Sequence, residues 1–353
     1  MSGTKKARVM IAMSGGVDSS VAALLAIRMG YECEGVTMKL YANTAYAECV
    51  ADSLRIPHHV VDFSDEFRAC VIEPFVASYE AGETPNPCAL CNTYIKFGKL
   101  YDHMRALGFD MLVTGHYARI EQEHDYAYGL MRAADRGKDQ SYFLYGLTQE
   151  KLGHTLFPLG GLTKKEVRAI AAEAGFINAD QPESQDICFV PEGGYANFIE
   201  DYRKRPPMKG NFVDTSGRVL GQHGGVERYT IGQRKGLGIA FGRPLFVKEI
   251  RPETGEVVLA DEEKIFTTYI EIADVNWLAE NACPGAGSGS EGALRAEIMI
   301  RYKAKPAWAT IKPVSAGHLM VEFDEPVRAP AIGQAAVMYD GDRVIGGGRI
   351  LAL

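Results

Sequence analysis

The chain has 353 residues, of which 46% are hydrophobic, and a formal net charge of −7, a composition that predicts a globular protein with two or three domains. The sequence contains neither a membrane-length apolar run nor the apolar core of a signal peptide, and its seven cysteines, an odd number, argue against a disulfide framework. We therefore expect a cytoplasmic protein with no membrane partner, whose thiols serve chemistry or metal binding.

The first predicted element is a strand at residues 9–13, which a glycine turn, Ser-Gly-Gly-Val-Asp-Ser at residues 14–19, connects to a helix. Glycines let the backbone approach an anion, and a helix N-terminus presents unpaired N–H groups that favour phosphate. The turn lacks the lysine of a Walker A motif, which argues against ordinary kinase or GTPase chemistry. It resembles the signature of ATP pyrophosphatases, and a purely structural turn is the alternative.

Predicted strands and helices then alternate along the chain. The strands lie at residues 31–38, 59–63 and 111–114, and the helices at residues 46–54, 67–79 and 95–107. This alternation predicts a parallel sheet covered on both faces, in which ligands lie beyond the carboxyl ends of the strands. We therefore expect Met38 and the segment Thr-Gly-His-Tyr at 114–117 to share a rim with the glycine turn. A further helix is predicted at residues 163–175, with Thr163 and Glu166 as a capping box.

Two cysteine segments interrupt this pattern. Cys88 and Cys91 stand at C-x-x-C spacing in a proline-rich loop, just before a helix predicted to start near Thr93. A helix N-terminus favours the thiolate, so a nucleophile is predicted there, with half of a structural zinc site as the alternative. Cys188 lies in an apolar, strand-like run at residues 184–190 that is expected to close over the site, and a buried core cysteine is the alternative.

Beyond residue 208 the sequence alternates apolar with polar residues and predicts short antiparallel strands, with a loop at residues 282–292. Residues 203–248 contain ten Lys and Arg but only two acidic residues, so this segment is basic although the net charge of the chain is negative. We predict a catalytic domain at residues 1–207, a small β-rich module at 208–263, which contains most of this basic segment and is expected to bind nucleic acid, and a β-barrel at 264–353.

Six motifs, taken in order, closely resemble the bacterial tRNA-specific 2-thiouridylases, a family of ATP pyrophosphatases. They are the glycine turn, Thr-Pro-Asn-Pro at 84–87 with Cys91-Asn92 and Ile-Lys-Phe at 95–97, Thr-Gly-His-Tyr at 114–117, Lys-Asp-Gln-Ser-Tyr-Phe-Leu at 138–144, Ser-Gln-Asp-Ile-Cys-Phe at 184–189 and Ile-Gly-Gln-Arg-Lys-Gly-Leu-Gly at 231–238. The resemblance implies an α/β fold with a doubly wound parallel sheet of the adenine nucleotide alpha hydrolase kind, then the β-rich module and the barrel.

The family replaces the 2-oxygen of the wobble uridine of tRNA by sulfur. The resemblance implies ATP and Mg²⁺ as cofactors, the anticodon region of tRNA as substrate, and a sulfur-relay protein or a cysteine desulfurase as sulfur donor. ATP activates the oxygen as an adenylate, which a sulfur nucleophile then displaces. Because the base is stacked in the anticodon loop, it must be splayed out to react.

Residue roles follow from the same resemblance. The residues implied to bind ATP are Ala12, Met13, Ser14, Gly15, Gly16, Val17, Asp18, Ser19, Met38 and Gly115, with Asp18 also placing Mg²⁺. Cys188 would carry a persulfide, and Cys91 would release its sulfur by forming a disulfide with Cys188. The residues implied to line the base pocket are Asn86, Pro87 and Cys88, and those implied to contact tRNA are His116, Lys138, Asp139, Gln140, Arg301, Tyr302 and Gln334.

Three alternatives stay open. Many family members have Asp where this chain has Cys88, and the thiols of Cys88, Cys91 and Cys188 would also suit a 4Fe-4S cluster with one open iron. No other metal site is predicted. A ligase of the argininosuccinate or GMP synthetase type shares the glycine turn but has no use for these cysteines. The third alternative is a tRNA-binding protein with a non-catalytic nucleotide fold.

Overall fold

The computed structural model describes residues 6–40, 45–123, 127–181, 187–204, 206–239, 242–279, 292–315 and 317–353. Most of the predicted loop at 282–292, and residues 184–186 of the predicted run before Cys188, lie outside the described residues. The chain divides into two compact units, the first made of Met1–Cys70, Cys88–Gln185 and Gly341–Ile345 and the second of Val71–Pro87, Asp186–Asp340 and Gly346–Leu353. None of the helices in the described stretches is both long and apolar enough to cross a bilayer.

The first unit is built on a five-stranded parallel sheet. In sheet order its strands are β3 (His58–Asp62), β2 (Glu32–Lys39), β1 (Arg8–Ala12), β4 (Met111–Val113) and β7 (Thr155–Leu156). Val9, Met10 and Ile11 in the central strand are all 0% exposed, as expected for a strand covered on both faces. The predicted parallel sheet is therefore confirmed.

Helices of the first unit cover this sheet. They are α1 (Val17–Arg28), α2 (Ala45–Leu54), α3 (Ser64–Phe67), α6 (Tyr101–Ala106), α7 (Gln149–Gly153) and α8 (Lys164–Glu173). The predicted capping box is present at α8, since Thr163 N–H donates to the Glu166 carboxylate at 2.7 Å and Glu166 N–H donates to Thr163 Oγ1 at 3.3 Å. An antiparallel hairpin of β5 (Ala118–Gln122) and β6 (Tyr128–Arg132), which the sequence did not predict, follows β4.

The helix that carries the paired cysteines begins earlier than predicted. It starts with α5 (Pro87–Leu90), continues as a π-helical segment (Cys91–Leu100) and ends with α6. The expectation of a loop up to Thr93 is wrong, because Pro87 has a fixed φ that suits the first turn of a helix. Cys88 therefore lies in the first turn, and Cys91 lies one turn inside the helix.

The second unit contains a small helical cluster and a four-stranded sheet. Phe75 in α4 (Glu73–Glu80) packs edge-to-face against Phe189 at 5.1 Å, and Phe189 packs against Phe198 in α9 (Gly194–Arg203) at 5.4 Å. In sheet order the strands are β10 (Phe246–Arg251), β11 (Glu256–Ala260), β8 (Gly210–Asp214) and β9 (Val219–His223).

The pairing of β8 with β11 is parallel, so the prediction of antiparallel strands alone is wrong for this pair. The four strands form two antiparallel hairpins, β8–β9 and β10–β11, and a long connection between them lets the two inner strands run in the same direction. A connection of that length removes the constraint that a tight turn imposes.

A six-stranded antiparallel barrel completes the second unit. In barrel order the strands are β12 (Phe266–Trp277), β15 (His318–Arg328), β14 (Ala307–Ser315), β13 (Leu294–Met299), β16 (Ala335–Asp340) and β17 (Arg343–Ala352). β12 also pairs with β17, which closes the barrel and leaves it without an open edge. Alternating apolar side chains such as Ile270, Ile298 and Val321 are fully or almost fully buried. The predicted fold class, including the β-barrel, is confirmed.

Candidate active site

The glycine turn lies where the order of the parallel sheet reverses. β1 has β2 on one side and β4 on the other, so the loops that follow β1 and β4 diverge at their carboxyl ends. Such a switch point is the usual ligand site of an open parallel sheet. Met38, near the end of β2, is half-buried and lies two residues beyond Val36, which pairs with Ala12 at the end of β1. The predicted neighbourhood of the glycine turn and the 114–117 segment is therefore formed within the first unit.

The turn itself has the conformation of an anion-binding loop. Gly15 has a φ of +80°, and a Cβ added there would lie 3.0 Å from the Cβ of Tyr46, so a side chain is excluded by both conformation and space. Gly16 is the N-cap of α1 and provides no side-chain cap. The first N–H groups of α1 are thus left for a ligand, at the end of the helix where the dipole favours an anion.

The residues around the turn are tied to the core. Ala12 ends β1, and the side chains of Met13 and Val17 are buried in the apolar core of the first unit. Ser19 Oγ donates to the carbonyl of Gly16 at 2.9 Å and accepts a hydrogen bond from the N–H of Ser14 at 3.2 Å. Ser14 itself is exposed, so its side chain is accessible to a ligand.

Asn178 holds the turn from the opposite side, a contact that sequence reasoning missed. Its Nδ2 donates to the carbonyl of Gly15 at 2.7 Å and to Ser20 Oγ at 2.9 Å, and the residue is 0% exposed. Its Oδ1 is buried and has no hydrogen-bond partner. Because these two partners fix the orientation of the amide, Asn178 determines the position of the Gly15 carbonyl.

Asp18 lies in an ion pair that the sequence also did not reveal. Lys164 Nζ donates to both carboxylate oxygens, at 2.7 and 2.9 Å, and the hydroxyl of Tyr117 donates to Oδ1 at 2.7 Å. The Lys164 side chain is 12% exposed and that of Asp18 is 34% exposed. The negative charge at the start of α1 is therefore compensated by a largely buried ammonium group.

This ion pair bears on the predicted magnesium ligand. Mg²⁺ prefers carboxylate and phosphate oxygens, but both oxygens of Asp18 already accept hydrogen bonds from Lys164. The carboxylate does not fit a dedicated magnesium site in this arrangement. Among the residues that the structure describes, no group of three or more His, Cys, Asp or Glu side chains is arranged to hold a metal ion.

The loop after β4 packs directly on the first turn of α1. A Cβ on Gly115 would lie 2.8 Å from the carbonyl carbon of Asp18 and 2.8 Å from the N of Ser19, both of them backbone atoms. Close approach of the two segments therefore requires glycine at this position. The predicted contact between Gly115 and the nucleotide stays a prediction.

His116 is buried and links this loop to the cysteine-bearing helix. Lys96 Nζ donates to His116 Nε2 at 3.3 Å, so Nδ1 carries the hydrogen and donates to Thr114 Oγ1 at 2.7 Å. Burial, together with the nearby Lys96 ammonium, lowers the pKa of His116 well below its ordinary value and keeps the ring neutral. At 7% exposure His116 is held within the first unit, and its predicted contact with tRNA stays a prediction.

The segment from Lys138 to Gln140 is fastened beside the same loop. The Asp139 carboxylate is buried and accepts hydrogen bonds from the N–H of Ala133 at 3.0 Å and from the Ser141 hydroxyl at 2.9 Å. Gln140 Oε1 accepts from the N–H of Tyr117 at 2.9 Å, whereas Lys138 is half-buried. The three residues were predicted to contact tRNA; Asp139 and Gln140 also have these structural roles.

The predicted reactive cysteines differ in exposure. Cys91, in the first unit, is buried at 9% exposure, and Cys88 is exposed. Cys188, in the second unit, is exposed, which is contrary to a buried core cysteine. Residues 187–190 form a turn, with Val190 N–H donating to the Ile187 carbonyl at 3.0 Å, so the predicted strand is wrong there. Phe189 is anchored in the aromatic cluster, and a turn lets Cys188 face solvent beside that anchor.

Predicted tRNA-binding residues of the barrel are partly used to build the second unit. Gln334 Nε2 donates to the carbonyls of Thr84 at 3.0 Å and Pro85 at 2.9 Å, which positions the segment that carries Asn86 and Pro87. Arg301 donates to the carbonyls of Ile231 and Ala329. Tyr302 is half-buried with Lys303 Nζ 5.5 Å from its ring centre, and the contacts of Arg301, Tyr302 and Gln334 with tRNA stay predictions.

Comparison with known families gives three matches in succession. The tRNA methyl transferase HUP domain matches residues 7–192, the tRNA methyl transferase PRC-barrel domain residues 196–261, and the Aminomethyltransferase beta-barrel domain residues 267–350. The first match covers the parallel sheet and its glycine turn. The domain boundaries proposed from the sequence stay predictions.

Curated relatives resemble the chain along almost its whole length. The tRNA-specific 2-thiouridylase MnmA of Moorella thermoacetica is 47% identical, over 97% of this chain and 98% of its own. The protein of the same name from Lachnoclostridium phytofermentans is 45% identical, over 98% of this chain and 99% of its own length. The one from Carboxydothermus hydrogenoformans is also 45% identical, over 97% of each chain. With likeness of this extent, the chain belongs to the tRNA-specific 2-thiouridylase family.

Proposed function

We propose that this protein is a tRNA-uridine 2-sulfurtransferase, which uses ATP to replace the C2 oxygen of the wobble uridine by sulfur. The observation that carries the proposal is the match to curated 2-thiouridylases over 98% of the chain, with the glycine turn at the switch point of the sheet. The proposed compartment is the cytoplasm, where tRNA is modified.

The first step activates a poor leaving group. The C2 oxygen of the uridine attacks the α-phosphorus of ATP, the bond between that phosphorus and the α–β bridging oxygen breaks, and pyrophosphate leaves with the electron pair. Backbone N–H groups at the start of α1 favour the negative charge of the phosphates. Mg²⁺ would bind together with ATP and reduce the negative charge of its phosphates, and the proposed reaction requires no protein ligand for the ion.

The second step delivers sulfur. A sulfur-relay protein or a cysteine desulfurase loads Cys188 as a persulfide, whose terminal sulfur attacks C2, and AMP leaves with the electrons of the C2–O bond. The Cys91 thiolate then attacks Sγ of Cys188, so that the persulfide S–S bond breaks and the sulfur stays on C2 as a thiocarbonyl. The resulting disulfide between Cys91 and Cys188 is reduced before the next turnover by two equivalents of an external thiol, which leave as their own disulfide.

Binding of tRNA is proposed to involve the segment at residues 86–88 and the glycine-rich segment at 231–238. The wobble base would be splayed out and received by Asn86, Pro87 and Cys88, a segment that Gln334 positions. Exposed Arg234 and Lys235, in the glycine-rich segment at 231–238, would add contacts to phosphates.

Mass spectrometry of nucleosides from tRNA incubated with the protein, ATP, Mg²⁺, cysteine and a cysteine desulfurase, which supplies sulfur at the persulfide level, tests the proposal. The expected product is 2-thiouridine, formed only when ATP is present. Folded protein that binds both tRNA and ATP but leaves the nucleosides unchanged would contradict it and favour a non-catalytic tRNA-binding protein.

Cysteine variants separate the remaining alternatives. Cys188→Ser and Cys91→Ser should abolish thiolation while tRNA-dependent release of pyrophosphate continues, and Cys49→Ser, at an exposed cysteine outside the predicted site, should behave as wild type. Full thiolation by the first two variants would contradict the assigned roles of Cys91 and Cys188, whereas a wild-type protein that releases pyrophosphate without forming 2-thiouridine, and does so equally in both variants, would favour an amidating ligase. Iron and acid-labile sulfide in anaerobically purified protein, both lost in Cys88→Ala together with activity, would favour the 4Fe-4S alternative.

A further inference from the structure

We propose that Lys164 is a phosphate-binding residue of the nucleotide site, the cation that the glycine turn itself lacks. The inference rests on the proposed function, because it requires ATP at that turn. Residues 14–20 contain no Lys or Arg, whereas cleavage at the α-phosphorus leaves pyrophosphate with additional negative charge. A positioned cation stabilises such charge far better than water does.

The position of the Lys164 ammonium fits this role. Nζ lies 2.7 and 2.9 Å from the two carboxylate oxygens of Asp18, the second residue of α1. The start of α1 is where the turn would hold phosphate. The Asp18 side chain is 34% exposed and the Lys164 side chain 12% exposed, so the carboxylate is partly accessible and the ammonium lies largely buried beside it.

The backbone of Lys164 is fixed in place. Lys164 is the first residue of α8, directly after the Thr163 capping box, and its N–H donates to the Asp135 carboxylate at 3.0 Å. The centre of the Tyr117 ring lies 5.8 Å from Lys164 Nζ, and the Tyr117 hydroxyl donates a hydrogen bond to the Asp18 carboxylate, the partner of Lys164. With the backbone fixed, a change in the side-chain torsions of Lys164 would let its ammonium donate to a phosphate while it keeps a hydrogen bond to Asp18.

Charge compensation gives the pair a second purpose. An uncompensated Asp18 at the start of α1 would repel a triphosphate, and the Lys164 ammonium removes that repulsion. Asp18 in turn holds the ammonium near the turn before the nucleotide arrives. Pre-positioning of this kind lowers the conformational cost of binding.

Isothermal titration with ATP and with adenosine tests the proposal. Lys164→Met should lower the affinity for ATP by about 10- to 100-fold, the loss expected for one charged hydrogen bond, and leave the affinity for adenosine unchanged. Lys164→Arg should recover part of the ATP affinity. Lys165→Met, at the exposed neighbouring lysine, is the matched control and should bind ATP as wild type does.

Equal losses for ATP and adenosine would overturn the proposal, since they indicate a structural role, and so would unchanged ATP binding by Lys164→Met. If that variant does not fold, amine-selective acetylation of the wild-type protein, read by mass spectrometry, answers the same question. ATP should protect Lys164 but not Lys165, adenosine should protect neither, and lack of protection by ATP would overturn the role. Wild-type protein that fails to bind ATP would contradict the proposed function itself.

Discussion

Asn178 offers the sharpest test of how the glycine turn is held in place. Its side chain is 0% exposed and donates two hydrogen bonds, to the Gly15 carbonyl at 2.7 Å and to Ser20 Oγ at 2.9 Å. Replacement by alanine removes both donors, and replacement by aspartate keeps the shape but turns the donor into an acceptor. We expect both variants to loosen the turn, aspartate more than alanine.

The magnitude follows from the two contacts. A net loss of about 1 kcal/mol for each hydrogen bond gives about 2 to 3 kcal/mol for Asn178→Ala once the buried Gly15 carbonyl has lost this donor. Asn178→Asp adds a buried charge facing a carbonyl oxygen, so its loss should exceed about 3 kcal/mol. Oδ1 of Asn178 has no hydrogen-bond partner, so removing this atom breaks no hydrogen bond and does not add to the loss of stability.

Hydrogen exchange measured on peptides from the turn and α1 is the suitable assay, because it reports local opening. A loss of about 2 to 3 kcal/mol corresponds to exchange about 30- to 150-fold faster in Asn178→Ala. The two tryptophans, Trp277 and Trp308, both belong to the second unit, so their fluorescence during unfolding serves as an internal control.

An unchanged exchange rate in Asn178→Ala, or an aspartate variant more protected than the alanine variant, would refute the reasoning. Either result would mean that the Asn178 amide does not hold the Gly15 carbonyl. A shift in tryptophan fluorescence equal to the change in the first unit would indicate global destabilisation instead of a local effect.

Three further predictions concern the same unit and are read by urea unfolding followed by circular dichroism. Thr163→Ala should destabilise α8 by about 1 kcal/mol through loss of the cap to Glu166, and an unchanged midpoint contradicts this. Gly115→Ala should cost about 1 to 3 kcal/mol, because its Cβ would meet backbone at 2.8 Å, whereas Gly161→Ala, with no atom within 4 Å, should be nearly neutral. The pKa of His116 is lowered by burial and by Lys96, so the unfolded state binds the proton more readily and stability should fall as pH decreases below about 6.5. His116→Gln should flatten that pH profile, and parallel profiles would contradict the assignment.

Local elements of the site could be predicted because they depend on neighbours in the chain. The turn at 14–19 and the cap of Thr163 and Glu166 are formed by residues a few positions apart, and the structure contains both. The helix start at Pro87 was missed although proline at a first helical position is itself a signal. The hairpin after β4 was missed because it interrupts an otherwise regular alternation of strands and helices.

The sequence by itself determined the order of most strands and helices, the glycine turn and the family, because each of these is recognised from short runs of neighbouring residues. Only the tertiary structure decided how that turn is supported. Asn178 lies 163 positions from Gly15, and Lys164 lies 146 positions from Asp18. No local sequence pattern identifies the partner of a buried amide or ammonium group. Partners so far apart in the chain are brought together only by the packing of α8 and the following segment against α1.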